Sequence, residues 1–243
     1  MRILVTGASR GIGLGFCRVL LERGHDVVAV CRELSRDLSA LDDVQIVDGI
    51  ELTSDSSVRT LSSRIRGGLD GLILNAGINC DAPTLEDIEV PDLARMFDVN
   101  ALGAVRVTLA CLGTLNRGAK IMLVGVGAAA LNVRAPSVGN YGYRMSKAAM
   151  LSFGFGIARD LRDRGVAVLV CSPGPVDTDM LRSVAAEGRT TFNPEHAPSA
   201  NSVAAQLLDR MDALTLEDSP VWEGEPTGEP LVVVPASQLV TRG

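Results

Sequence analysis

Residues 2–14 read Arg2-Ile-Leu-Val-Thr6-Gly7-Ala-Ser9-Arg10-Gly11-Ile12-Gly13-Leu14. The short apolar run Ile3–Val5 suits a strand buried on both faces, and apolar residues recur at helical spacing from Gly11 to Arg23. Between the two lies G-x-x-x-G-x-G. Three glycines let the backbone turn tightly and come close to a pyrophosphate, while the following helix offers free amides and the positive end of its dipole. Gly7, Ser9, Arg10, Gly11, Ile12 and Gly13 are therefore candidate phosphate-cradling residues.

The same alternation continues through the chain. Further apolar runs fall at 27–30, 44–47, 72–74, 121–124, 166–170 and 231–234, and segments with helical spacing at 11–23, 58–65, 93–115, 146–161 and 203–211. Parallel neighbours need crossovers, and crossovers are right-handed, so the pattern predicts a three-layer, doubly wound α/β fold around a mostly seven-stranded parallel sheet. No linker-like composition shift divides residues 1–243, which suits one domain. Residues 181–200 mix Gly, Pro, Thr and Asn without a sustained period and read as a mobile loop; 217–230 is similarly irregular.

Composition narrows the function. With 243 residues, 29 acidic against 23 basic side chains and a net charge of −6, the chain has no basic run to reward nucleic acid or an anionic membrane. No apolar stretch reaches the length of a membrane span, and the chain opens directly on a strand, so the expectation is a cytoplasmic protein acting on a small molecule. Five cysteines without CxxC spacing and two histidines argue against a metal centre.

The second strand ends at Cys31-Arg32-Glu33. An acidic side chain at this place takes the adenosine ribose hydroxyls of NAD, whereas an arginine accommodates the 2′-phosphate of NADP. Arg32, with Arg10 in the turn, favours NADP(H) over NAD(H), although Glu33 could reach the ribose or pair with Arg32.

Of the 23 basic residues only Lys120 and Lys147 are lysine, and Tyr141 and Tyr143 are the only tyrosines. One of each falls in Tyr143-Arg-Met-Ser-Lys147, where four-residue spacing puts phenol and ammonium on one helix face. Random placement gives such a match on the order of 1–2% of the time. An adjacent ammonium favours the phenolate, which would lower the tyrosine pKa from about 10 toward working pH and suit it to exchange a proton with a carbonyl.

On Thr6-Gly-x-x-x-Gly-x-Gly13, Asn75-Ala76-Gly77, Asn100, Tyr143-x-x-x-Lys147 and Pro173-Gly174-Pro-Val176-Asp-Thr178, the chain resembles the short-chain dehydrogenase/reductase family over nearly its whole length. Residues 139–150, GNYGYRMSKAAM, are similar to the carbonyl reductase subgroup related to the bacterial C-factor. The resemblance implies a Rossmann fold and an NADP(H)-dependent oxidoreductase interconverting a carbonyl and an alcohol. It makes Tyr143 the acid/base, has Lys147 hold the nicotinamide ribose, and gives Asn100 a water of the proton relay. Asn75, Ala76 and Gly77 would line the adenosine half, Glu51 and Leu52 would flank the adenine, and Pro173, Gly174, Val176 and Thr178 would meet the nicotinamide end. It also implies a substrate lid at about 181–200, and a homodimer or homotetramer formed through helices 93–115 and 146–161.

One departure stands out. Active members carry a serine about thirteen residues before the tyrosine, and here that place is Ala130, with no Ser or Thr between Thr114 and Ser137. Backbone amides at 125–127, or Ser137, Asn140 or Tyr141, are candidate replacements. Two other readings stay open at this stage: non-redox proton transfer on the same scaffold (dehydration, epimerisation or cyclisation), and a nucleotide-binding regulator without turnover. The many small apolar residues at 125–130 and 133–140 suggest a roomy pocket for a hydrophobic substrate.

Overall fold

The structure is a computed structural model that describes residues 1–125 and 139–223. Seven strands form one parallel sheet in the order β3-β2-β1-β4-β5-β6-β7: β1 (Arg2–Thr6), β2 (Asp26–Val30), β3 (Val44–Val47), β4 (Leu69–Leu74), β5 (Leu115–Val124), β6 (Ala167–Cys171) and β7 (Val221–Glu223). Strand residues alternate between the faces, and both faces are apolar. Ile3, Val5, Val27, Ala29, Ile73, Met122 and Leu169 pack with helices α1 (Gly11–Glu22) and α9 (Ala200–Ala213). Leu4, Val28, Val30, Leu72, Leu74, Ile121, Leu123 and Val168 pack on the other side with α3 (Asp55–Arg59), α4 (Leu61–Arg64), α6 (Gly103–Cys111) and α7 (Tyr141–Asp160). Burial on both sides is why these strands read as continuous apolar runs.

The sheet order reverses between β1 and β4, so the crossovers leave a crevice at the carboxyl ends of these two strands, where ligands of doubly wound sheets bind. Two short helices complete the architecture near it: α2 (Arg36–Ser39) after β2, and α5 (Val90–Phe97), which continues through a π-helical turn at Asp98–Leu102 into α6.

Three expectations change. The seventh strand is Val221–Glu223, inside the stretch that looked irregular, while 231–234 lies outside the described residues. Pro220 directly before it suits an edge strand, and the Ser219 hydroxyl accepts a hydrogen bond from the Val168 amide at 2.8 Å. Residues 93–115 are not one helix: the π-helical turn interrupts it, and β5 already begins at Leu115. The expected loop 181–200 opens within α8 (Asp179–Ala186), which Thr178 caps through the Leu181 amide with Asp179 in the first turn. Those start signals lie before residue 181, and a window opened there misses them.

Candidate active site

The Gly-rich turn is shaped by contact. A Cβ on Gly13 would stand 2.1 Å from the Gly7 carbonyl oxygen, and Gly7 itself has φ +68 with Ala76 Cα close behind it. Thr6 joins this turn to the end of β4: its hydroxyl accepts from the amides of Asn75 and Ala76 at 3.0 and 3.2 Å, and the Asn75 side chain donates to the Thr6 carbonyl at 3.0 Å. The α1 helix begins with no side-chain cap and no acidic residue in its first turn. Its amino end therefore keeps its affinity for an anion.

Around this turn the remaining candidates gather at the carboxyl ends of the strands. Thr178 lies against Gly11, whose Cβ would stand 3.4 Å from its methyl group, and Val176 beside it is buried. Arg32 sits exposed after β2, 3.3 Å from Glu33 and 4.0 Å from Glu51. Leu52 touches Gly103 at the start of α6, and its carbonyl accepts from Arg106 at 3.0 Å. Arg10 is exposed and 3.7 Å from Asp179. Pro173 and Gly174 line a cavity of about 250 Å³ with Phe192, Pro198 and Leu207, and Tyr143, Lys147 and Asn100 are not among its lining residues.

Lys147 is 2% exposed, and its Nζ donates to the Val124 carbonyl at 2.9 Å while standing 5.8 Å from the centre of the Tyr143 ring. A Cβ on Gly77 would lie 3.2 Å from both Lys147 Nζ and Asn100 Oδ1, so only glycine fits between them without displacement. Asn100 sits in the π-helical turn, the kind of irregularity that recurs at functional positions. Its side chain accepts from the Ile78 amide at 2.8 Å and donates to the Ile78 carbonyl at 2.9 Å and to Ser146 Oγ at 3.0 Å.

The expected lowering of the tyrosine pKa is opposed by desolvation. Burial pushes the Tyr143 phenol up to about 12, and burial also pulls the Lys147 ammonium down to about 8, with the nearby Cys171 pulling weakly the other way. At neutral pH the pair is a protonated phenol beside an ammonium.

Three residues were not found from sequence. Ser146 donates to the Tyr143 carbonyl at 2.8 Å and links it to Asn100. Asn79 donates to Asn140 Oδ1 at 2.8 Å, and Asp81 accepts from the amides of Gly142 and Tyr143. The available signal was negative: Gly139-Asn-Tyr-Gly142 opens α7 without an acidic first turn, so its amides need a partner from elsewhere. One suggested serine replacement is already engaged as a donor, and another is held through its acceptor oxygen. The Gly125 amide donates to the Cys171 carbonyl at 2.7 Å, and Asn140 Oδ1 also accepts from Arg189 at 2.9 Å. Ala130 and Ser137 lie outside the described residues, as do residues 126–138 as a whole.

Among the described residues no helix is long and apolar enough to cross a membrane. Residues 1–188 match the family model described as short chain dehydrogenase. The chain is 34% identical over 220 residues, 89% of its own length and 93% of the relative's, to 1-hydroxy-2-glutathionyl-2-methyl-3-butene dehydrogenase of Rhodococcus sp. strain AD45. It is 40% identical over 115 residues, 47% of this chain and 69% of the other, to the C-signal protein of Myxococcus xanthus. Among solved structures, a short chain dehydrogenase from Burkholderia cenocepacia J2315 in complex with NADP matches at 31% identity and TM-score 0.73, over 85% of this chain and 88% of that one. With a Gly-rich turn, an Asn-Ala-Gly strand end and a half-buried tyrosine beside a buried lysine, the chain belongs to the short-chain dehydrogenase/reductase family.

Proposed function

We propose that the protein is an NADP(H)-dependent oxidoreductase that interconverts a carbonyl and an alcohol on a small, hydrophobic substrate. The observation that carries this reading is the buried ammonium of Lys147, fixed on the Val124 carbonyl beside the Tyr143 ring and framed by Gly77 and Asn100. A buried lysine is costly, and in a chain that otherwise uses arginine almost throughout, a compact charge beside a phenol has a chemical purpose.

The cofactor fits the residues present. The uncapped start of α1 suits a pyrophosphate, and exposed Arg32 and Arg10 suit a 2′-phosphate, as does the NADP held by the Burkholderia relative. Bound there, NADPH would supply the hydride. Tyr143 gives its proton to the carbonyl oxygen in the reductive direction, and Lys147 stabilises the phenolate left behind. Asn100, tied to Ile78 and Ser146, keeps the helix turn that faces Lys147 in place. A serine hydroxyl is not available to hold the carbonyl at position 130. Loss of one such donor typically costs about 2.7–4 kcal/mol of transition-state stabilisation, so a slow enzyme is expected unless another donor substitutes.

The test is NADPH and NADH oxidation against a panel of ketones and aldehydes, run beside Arg32→Asp. The expected result is turnover with NADPH and a selective loss of NADP(H) affinity in the variant. Equal weakening of both cofactors would remove Arg32 from the 2′-phosphate site, and cofactor binding without turnover of any carbonyl would overturn the reading.

A further inference from the structure

Asp81 is 7% exposed, and among the described residues no ion pair reaches it. Its two carboxylate oxygens are spent on one helix end: Oδ1 accepts from the Gly142 amide at 2.8 Å and Oδ2 from the Tyr143 amide at 2.7 Å. Charge-assisted bonds to amino-terminal amides, aligned with the helix dipole, compensate a carboxylate taken out of water. The carboxylate thus does in space what a local cap does in sequence. Asn140 precedes the helix in the left-handed region at φ 59 and makes no side-chain cap bond, its Oδ1 being turned to Asn79 and Arg189.

The tyrosine backbone is held on both sides. Its amide is on Asp81, and its carbonyl accepts from Ser146, which Asn100 holds in turn. The helix start also packs closely on α5 at a position that only glycine fits, since a Cβ on Gly142 would meet Met96 Cε at 2.4 Å and Leu93 Cδ2 at 2.6 Å. Asp81 lies only a few residues beyond Asn75–Gly77, the strand end tied to the Gly-rich turn. The Asn79 side chain also accepts from the Asp81 amide at 3.2 Å and donates to Asn140.

From this geometry we propose that Asp81 is a positioning residue, whose carboxylate fixes Tyr143 at the distance from Lys147 and the cofactor crevice that proton transfer requires. It touches no substrate and acts through the Tyr143 backbone. Misplacement of a reacting group by about 1 Å can cost on the order of 10²-fold in rate. The inference rests on the oxidoreductase reading above. Asp81→Asn keeps the shape but turns one amide donor toward another, so it removes one bond and the charge.

The experiment compares wild type, Asp81→Asn, Asp81→Ala and Asp81→Glu, each assayed at a temperature where circular dichroism shows it folded. Steady-state kinetics use NADPH and a carbonyl turned over by the wild type, and NADPH binding is followed by fluorescence. In a Tyr141→Phe background, ring-labelled tyrosine gives Tyr143 as a single NMR signal that needs no substrate. Asp81→Asn should lower kcat at least tenfold, leave KM and NADPH affinity within about threefold, and shift or broaden the Tyr143 signal, with Asp81→Glu recovering part of kcat. An unchanged kcat and ring signal in folded Asp81→Asn would overturn the proposal, as would a parallel loss of kcat, KM and NADPH affinity. If the wild type turns over no carbonyl, the oxidoreductase reading fails, while the NMR comparison still decides whether Asp81 positions Tyr143.

Discussion

At the scale of single residues, one cause acts on two groups in opposite directions. Desolvation raises the Tyr143 phenol to about 12 and lowers the Lys147 ammonium to about 8. The phenol therefore stays protonated across the usual working range, while the ammonium loses its charge just above it. The proposed reduction needs both the proton of Tyr143 and the charge of Lys147 that would stabilise the resulting phenolate. The rate of carbonyl reduction should accordingly be flat from pH 6 to about 7 and fall through about pH 8, and a kcat profile over pH 6–10 checks this. A profile that rises through pH 8 would mean that the charged lysine opposes the reaction. The two lysines also show how far residues can be read alone. The spacing of Lys147 from Tyr143 was visible in the sequence. Lys120 stands out in the sequence only by scarcity, yet its Nζ donates to the carbonyls of Met211 and Asp212 at 2.9 and 2.7 Å, closing the carboxyl end of α9 from 91 and 92 residues away.

At the scale of elements, the turn between β1 and α1 was legible because its demands are local. Glycine is required at position 13 by the Gly7 carbonyl 2.1 Å from where a Cβ would sit, with the Asn75 side chain 2.7 Å away. Gly13→Ala should destabilise the fold by about 1–3 kcal/mol through overpacking. For a chain of this size that is a fall in Tm of roughly 2–12 °C. Thermal melts with and without NADPH check it, and the variant should also lose the shift that NADPH gives the wild type. An unchanged melt would mean that the turn has more room than its contacts indicate. The start of α7 was less legible, since its amides are served by Asp81, 61 and 62 residues upstream, and no periodicity records a contact of that separation. The start of the 181–200 segment is helical for a simpler reason: Thr178 and Asp179, just before it, mark the start of α8.

For the whole molecule, the alternation of buried runs and helical segments carried the doubly wound topology, because burial on both sheet faces leaves a strong sequence pattern. Assembly leaves a weaker one. Leu102 and Leu109 share a face of the π-helical turn and α6, and with Phe97 on α5 and Met145 and Phe155 on α7 they remain exposed. Large apolar side chains left exposed on neighbouring helices suit a second copy of the chain. Sedimentation velocity should give a dimer or tetramer, and Leu109→Arg with Phe155→Arg should yield a smaller species that still binds NADPH. A monomeric wild type would leave those side chains without an assembly role.

The whole account turns on Tyr143 as the proton donor. Stopped-flow loss of NADPH absorbance with an accepted carbonyl, measured for wild type and Tyr143→Phe at pH 7, tests this most directly. The expected result is a rate lower by about 10²–10⁴-fold in the variant, with NADPH affinity little changed. A Tyr143→Phe protein that consumes NADPH at the wild-type rate would contradict it.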